Sequence, residues 1–423
     1  MSKNGASQNG CLTLYENDRI VNDDEDVCDI FNNHFATCAN SIGVSEPLID
    51  SDNILDIVES FKGHVSIQAI KNNPNVDSTK IFEFKPIDSA YIEKQLAGVC
   101  AKKSTGVDTI PPRLVKISAP IIGQPLTKLI NTSIASGIFP DILKNAEVSP
   151  LHKKDDNTNK HNFRPVSILT CIKKIFERVY CDQMVDFSNE ILSNMLCAFR
   201  KQYSCETVLI KLIETWKDLL DKHQIIGAMM LDLSKAFDCL PHKLLLAKLE
   251  AYGFDNNACN LIKSYLENRH QRVKIGSARS SWLQLIKGVP QGSILGPILF
   301  NIVINDIFYL VDGIYNYADD NTVSRHSSSV DEIKSLLEEA TENTLNWFDQ
   351  NEMQANPSKF QAMVLGLKSD SNDISFNIRD SIISPSNSAK LLGVEIDDKL
   401  SFSGHIRTIC TKAGKQLNAL ARI

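Results

Sequence analysis

The run Ile225 to Asp232, IIGAMMLD, stays apolar until it ends on a charge, a pattern that suits a strand buried on both faces. Downstream, Pro241 is placed to open a helix at its first turn. Leu244, Leu245 and Leu249 supply its apolar stripe, and Gly253 ends it as a C-cap would. Ala258, Leu261, Ile262, Tyr265 and Leu266 predict a second helix with a core-facing stripe. QRVKIG and SWLQLIKGVPQG predict two strands separated by Gly276 and serines, followed by a long apolar helix from near Ser293. In YNYADDNTV, residues 315 to 323, bulky and branched side chains flank the polar step Asp319-Asp320-Asn321, which predicts a hairpin turning there. VDEIKSLLEEATENTLNWFDQNE then predicts an amphipathic helix and KFQAMVLG a strand. This order from Ile225 to Gly366 is an α+β pattern, in which helices cover one side of a mostly antiparallel sheet and leave the other free.

Upstream, Ile121, Leu126, Leu129 and Ile130 recur at helical spacing. The first ninety or so residues combine an acidic patch, NDDEDVCDIFNNHF, with Asn-rich and Ser-rich connections, and residues 1–91 are expected to form an acidic extension. At 423 residues and 43% hydrophobic, the chain can bury a large core in two or three lobes. The eleven cysteines lack a repeated C-x-x-C spacing and the N-terminus lacks the pattern of a signal peptide. The expected setting is therefore intracellular, cytoplasmic or nuclear, and not secreted. The most apolar window, SILGPILFNIVINDIFYLV, is interrupted by Pro297, Asn301, Asn305 and Asp306, which argues against a membrane partner.

The net charge of -6 conceals an uneven distribution. Residues 1–100 hold 7 Lys+Arg against 16 Asp+Glu, whereas residues 101–300 hold 27 against 18. A basic middle of this kind can line a channel for nucleic acid, and it can equally be a set of solvated lysines. The aspartates leave a similar choice. Asp319 and Asp320 could be solvated turn residues. Alternatively, one sheet could bring them to Asp232, where each pair of carboxylates about 4 Å apart would repel by about 4 kcal/mol at an effective dielectric near 20. Hard divalent cations compensate such clusters, and a pair of them clamps in-line phosphoryl transfer.

With these residues in place, the chain resembles a known family. AMMLDLSKAFDCLPH, KGVPQGSILGPILFNIVINDI and YADDNTV look like successive palm motifs of reverse transcriptases. KKSTGVDTIPPRLVK, GIFPDILKNAEVSPLHKKDD and NFRPVSIL resemble the fingers of the jockey-like, non-LTR retrotransposon enzymes. LNWFDQNEMQANPSKFQAMVLG and AKLLGVEIDDKLSFSGHI are similar to the segments that follow the catalytic hairpin, so the likeness runs from about Ile92 to His405.

The resemblance implies a right-hand polymerase fold, with an antiparallel palm sheet backed by helices. Residues 92–397 would be fingers and palm, and residues 398–423 the start of a truncated thumb. It implies RNA-directed DNA synthesis with two Mg2+ ions, an RNA template, a DNA or RNA primer and deoxynucleoside triphosphates, in retrotransposon replication. Asp232, Asp319 and Asp320 match the metal-binding catalytic carboxylates. Lys359 matches the lysine that protonates the leaving pyrophosphate. Lys153 or Lys154, together with Arg164, match residues that grip the triphosphate. Phe237 falls at the steric gate against a ribose 2′-hydroxyl, and Gln291 and Gly292 line the nucleotide pocket. Asp238 and Ser234 receive no role, Asp238 being read as a helix cap. Such elements usually carry an endonuclease upstream; the residues before Ile92 show no such motif set, and the chain is expected to be a fragment. Two other readings stay open: an RNA-templated RNA polymerase, against which Phe237 argues, and a catalytically idle RNA-binding remnant, against which the intact carboxylates argue.

Overall fold

A computed structural model describes residues 12–37, 53–367 and 374–421. The chain forms two units, the first built from residues up to Ile191 and Lys235–Val303, the second from Leu192–Ser234 and residues from Ile304 onward.

The second unit is organised around the apolar run. Ile225–Asp232 is a strand paired antiparallel on one side with Asp320–Ser327 and on the other with Gln361–Leu365; Ile314–Tyr317 completes the sheet beyond Asp320–Ser327. Side chains alternate across a strand. Ile226, Ala228 and Met230 therefore face one way, into a cluster with Val208, Leu212 and Trp216 of helix Cys205–Asp221 and with Met363, Leu365, Leu391 and Ile396. Gly227, Met229 and Leu231 face the other way. An added Cβ at Gly227 would lie 3.0 Å from Leu337 and 3.2 Å from Ile333 of helix Val330–Gln350, so that helix approaches the strand backbone closely. The expectation of one free sheet face is thus corrected. Both faces are covered because a run without polar alternation has no side that tolerates water. At the end of the sheet, Asp232 and Asp320 are half-buried and Asp319 is exposed.

The first unit holds a second sheet. Its strands run in the order Phe163–Ile168, Ala146–His152, Arg269–Ile275 and Ala278–Arg279, with Leu283–Leu285 also paired to Arg269–Ile275. Helix His242–Ala251 begins one residue later than the sequence pattern suggests, with Pro241 as its N-cap, and Gly253 follows its end at φ +96°. All five stripe residues of helix Asn256–Leu266 are buried. In helix Ala119–Ser136, Leu126 and Ile130 are buried whereas Ile121 and Leu129 are 78% and 60% exposed, so the expected apolar stripe is only half core. The acidic patch near the N-terminus forms helix Asp24–Thr37, with Asp24, Glu25 and Asp26 in its first turn, where the helix dipole favours negative charge. Its Val27, Cys28, Phe31 and Phe35 pack with Val148, Phe163 and Val273, so this part of the expected extension belongs to the core of the first unit. Among the described residues, no helix is long and apolar enough to cross a membrane.

Candidate functional site

Asp232 ends its strand, and antiparallel register sets Asp320 directly opposite it. Asp320 also pairs with Tyr317, so the hairpin loop is Ala318-Asp319. The turn lies one residue earlier than expected, and Asp320 and Asn321 belong to the strand. Ala318 has φ +57°, the left-handed conformation that two-residue hairpin loops require and that costs a non-glycine residue roughly 1–2 kcal/mol. Two buried asparagines hold it there. Asn316 Nδ2 donates to Ala318 O at 2.7 Å and to Asn321 Oδ1 at 2.9 Å, and Asn321 Nδ2 donates to Asp319 O at 3.2 Å. The Leu233 N–H also donates to Asp319 O, at 3.1 Å, which ties the loop to the end of the Asp232 strand.

The charges at this end are poorly compensated. Burial, and then the repulsion of Asp319 and Asp232, push the Asp320 carboxyl up to about 6, with Lys359 opposing. Lys359 reaches the cluster from the turn Pro357–Lys359, which is anchored by the Asn356 N–H donating to Asp232 O at 2.9 Å. Its Nζ lies 2.5 Å from Asp232 Oδ2. The structure thus sets Asp320 opposite Asp232, Asp319 in the adjoining loop and the Lys359 ammonium on Asp232. The donor set is all carboxylate oxygen, as hard divalent cations prefer, and the lysine ammonium already stands in as a monocation on Asp232. The residues therefore fit a divalent metal. Among the described residues, no three acidic, His or Cys side chains converge closely enough to hold a metal ion, so the fit is one of donor chemistry and not of a preformed cage.

The other six residues lie in the first unit, on three segments bound to one another. Arg164 faces Leu151 across the pair of strands Ala146–His152 and Phe163–Ile168. Lys153 and Lys154 lie just beyond the first of these strands, where the Lys153 N–H donates to Asn162 O at 2.8 Å. Arg164, Lys153 and Lys154 are all exposed, and Arg164 makes no ion pair among the described residues. The Ser167 N–H donates to Gln291 O at 2.8 Å, docking this strand pair on the Gln291 loop. Gly292, at φ +112°, allows the approach, since a Cβ there would lie 3.0 Å from Ser167 O. Phe237 stacks on buried Phe300 with ring centroids 4.9 Å apart and an interplanar angle of 23°. Asp238 is not a helix cap: both of its carboxylate oxygens accept from Gln291 Nε2 at 2.9 Å.

Sequence reasoning missed the asparagine pair and the Asp238–Gln291 pair. It also missed Glu177, a buried carboxylate that accepts from the Ile294 N–H at 2.6 Å and from the Tyr265 hydroxyl at 3.0 Å, fixing the chain just beyond Gly292. Only the Asn-x-x-x-x-Asn spacing around the hairpin offered a local signal.

The profile described as "Reverse transcriptase (RNA-dependent DNA polymerase)" matches residues 151–396, more than half of the chain. The chain is 25% identical over 349 residues to "Probable RNA-directed DNA polymerase from transposon BS" of Drosophila melanogaster, covering 79% of this chain and 38% of that one. It is 27% identical over 331 residues to "RNA-directed DNA polymerase from mobile element jockey" of the same organism, covering 75% and 36%. To "Probable RNA-directed DNA polymerase from transposon X-element" it is 27% identical over 296 residues, covering 68% and 32%. The matched region spans well under half the length of these relatives.

Proposed function

The chain belongs to the reverse transcriptase (RNA-dependent DNA polymerase) family, and from that premise we propose that it is an RNA-directed DNA polymerase extending a primer 3′-hydroxyl with deoxynucleoside triphosphates during retrotransposon replication. Residues 92–397 serve as fingers and palm and the segment from 398 as the start of a thumb. The observation that carries the reading is the register of Asp320 on Asp232 with Asp319 in the adjoining loop and the Lys359 ammonium on Asp232.

In the second unit, Asp232 and Asp319 would hold two Mg2+ ions, with Asp320, whose carboxyl is harder to ionise, as the supporting carboxylate. Held by these carboxylates, the metal would supply positive charge for activating the attacking hydroxyl and stabilising the leaving group. Lys359, released from Asp232, passes a proton to the leaving pyrophosphate. In the first unit, Arg164 offers a bidentate guanidinium to the triphosphate, and Lys153 or Lys154 a point charge. Phe237, backed by Phe300, cannot yield to a ribose 2′-hydroxyl and so favours deoxynucleotides. Gln291 and Gly292 line the nucleotide pocket. An RNA template and a DNA or RNA primer complete the substrate set.

Primer extension on a homopolymer RNA template with magnesium, each nucleotide offered separately, tests this. The expected product forms only from the complementary deoxynucleotide. Products from ribonucleotides at a comparable rate would favour RNA synthesis, and no product with either class would leave an RNA-binding remnant.

A further inference from the structure

Asp238 is a first-unit carboxylate that the roles above leave unused. Gln291 Nε2 lies 2.9 Å from its Oδ1 and 2.9 Å from its Oδ2. An ionised carboxylate only accepts hydrogen bonds, so the carboxamide of Gln291 must turn its NH2 toward Asp238 and its Oε1 away. The backbone around the pair is fixed as well. The Val289 N–H donates to Phe237 O and the Gly288 N–H to Leu240 O, each at 2.9 Å, while His242 Nε2 lies 2.7 Å from Gly288 O. Gly288, at φ +78°, is where the two segments touch, since a Cβ there would come within 2.3 Å of Asp238 O. On the far side, Gln291 O is held by the Ser167 N–H at 2.8 Å. The loop is therefore pinned from both sides, and the orientation of the Gln291 carboxamide is set by Asp238.

We propose that Asp238 is a positioning residue that presents Gln291 to the incoming nucleotide as a hydrogen-bond acceptor, so that the pocket selects a nucleotide offering a donor at that point. The role rests on the nucleotide-pocket reading of Gln291 above. It also explains why the aspartate adjoins the proposed steric gate: Phe237 and Asp238 are consecutive, so one turn sets both the wall and the polar contact of the pocket.

A double-mutant cycle tests it. Asp238→Asn keeps the shape of the side chain but can pair with either orientation of the Gln291 amide, and Gln291→Met removes the polar group. Equilibrium binding of a fluorescent deoxynucleoside triphosphate and steady-state extension are measured on the same preparations, with thermal midpoints to confirm folding. Asp238→Asn should weaken nucleotide binding and raise KM about three- to tenfold, the weight of one hydrogen bond, with kcat within about twofold. In the Gln291→Met background it should add nothing. Asp238→Glu, which retains an acceptor-only group, should recover most of the loss, and it carries the test if the Asn variant does not fold. Equal losses in both backgrounds, or a loss confined to kcat, would overturn the proposal. If the wild type binds deoxynucleotide but the cycle is additive, only the role of Asp238 falls. If the wild type binds none, the pocket reading falls and this role with it.

Discussion

Asp238 in the first unit and Asp320 in the second are both pushed up to about 6, and in both burial is the leading cause. Their surroundings differ. Around Asp238 everything else opposes the shift: the Gln291 amide, then the charges of Lys235 and Lys153. Around Asp320 the next contributions reinforce it, because Asp319 and Asp232 repel the ionised form and only Lys359 resists. A carboxylate whose neighbours already supply donors is finished as a structural contact. One crowded by carboxylates needs positive charge from outside the fold. Nearly equal titration thus conceals an internal hydrogen-bonded pair in one unit and, in the other, the crowded carboxylates proposed above as a cation site.

Substitution should separate the two, and the largest effect belongs to the cation site. Asp232→Asn or Asp319→Asn should lower primer extension by about 10³-fold, since a lost metal ligand is worth several kcal/mol of transition-state stabilisation. The thermal midpoint of the metal-free protein should hold or rise. Near-normal extension by either variant would erase the distinction. Phe237→Ala should raise the ratio of ribo- to deoxynucleotide incorporation by about 10- to 100-fold, the usual range for a steric contact. An unchanged ratio in an active variant would make Phe237 core and nothing more.

Smaller effects sharpen the contrast. The raised Asp320 carboxyl costs the folded state stability at pH values above about 6. That cost is relieved as pH falls from about 6 toward the ordinary value of 3.8, because the folded chain takes up the proton first. Metal-free Asp320→Asn should therefore melt about 2 °C above wild type at pH 8, and the difference should vanish near pH 4. A wild type that melts higher at pH 8 would contradict the repulsion. Lys359→Met should change stability by less than about 1 kcal/mol, because the lysine is 58% exposed and such pairs are screened. It should nonetheless move the titration of Asp320 further upward, which carboxylate-selective NMR would detect.

The sequence revealed what local chemistry dictates. IIGAMMLD had to be buried on both faces, and the Val330–Gln350 helix follows from its amphipathic spacing. Asp320 and Lys359, which the structure sets against Asp232, were both candidates on the sequence alone. The one-residue shift of the hairpin loop was not visible, because alanine has no intrinsic preference for positive φ; buried Asn316 and Asn321 impose it on Ala318. Asp238 was misread as a cap because its partner, Gln291, is 53 residues away, and nothing local distinguishes an aspartate before a helix from one reaching across to another loop. Ile121 and Leu129 kept helical spacing yet stayed exposed, since periodicity predicts a face and not what covers it.

The central claim is that the carboxylates of the second unit form a cation site and the carboxylate of the first does not. Binding of Mn2+, a spectroscopic substitute for magnesium, followed by electron paramagnetic resonance at pH 7.5 in wild type, Asp319→Asn and Asp238→Asn, tests it most directly. Wild type and Asp238→Asn should bind Mn2+ alike, and Asp319→Asn should lose that binding. Retention by Asp319→Asn together with loss in Asp238→Asn would contradict it.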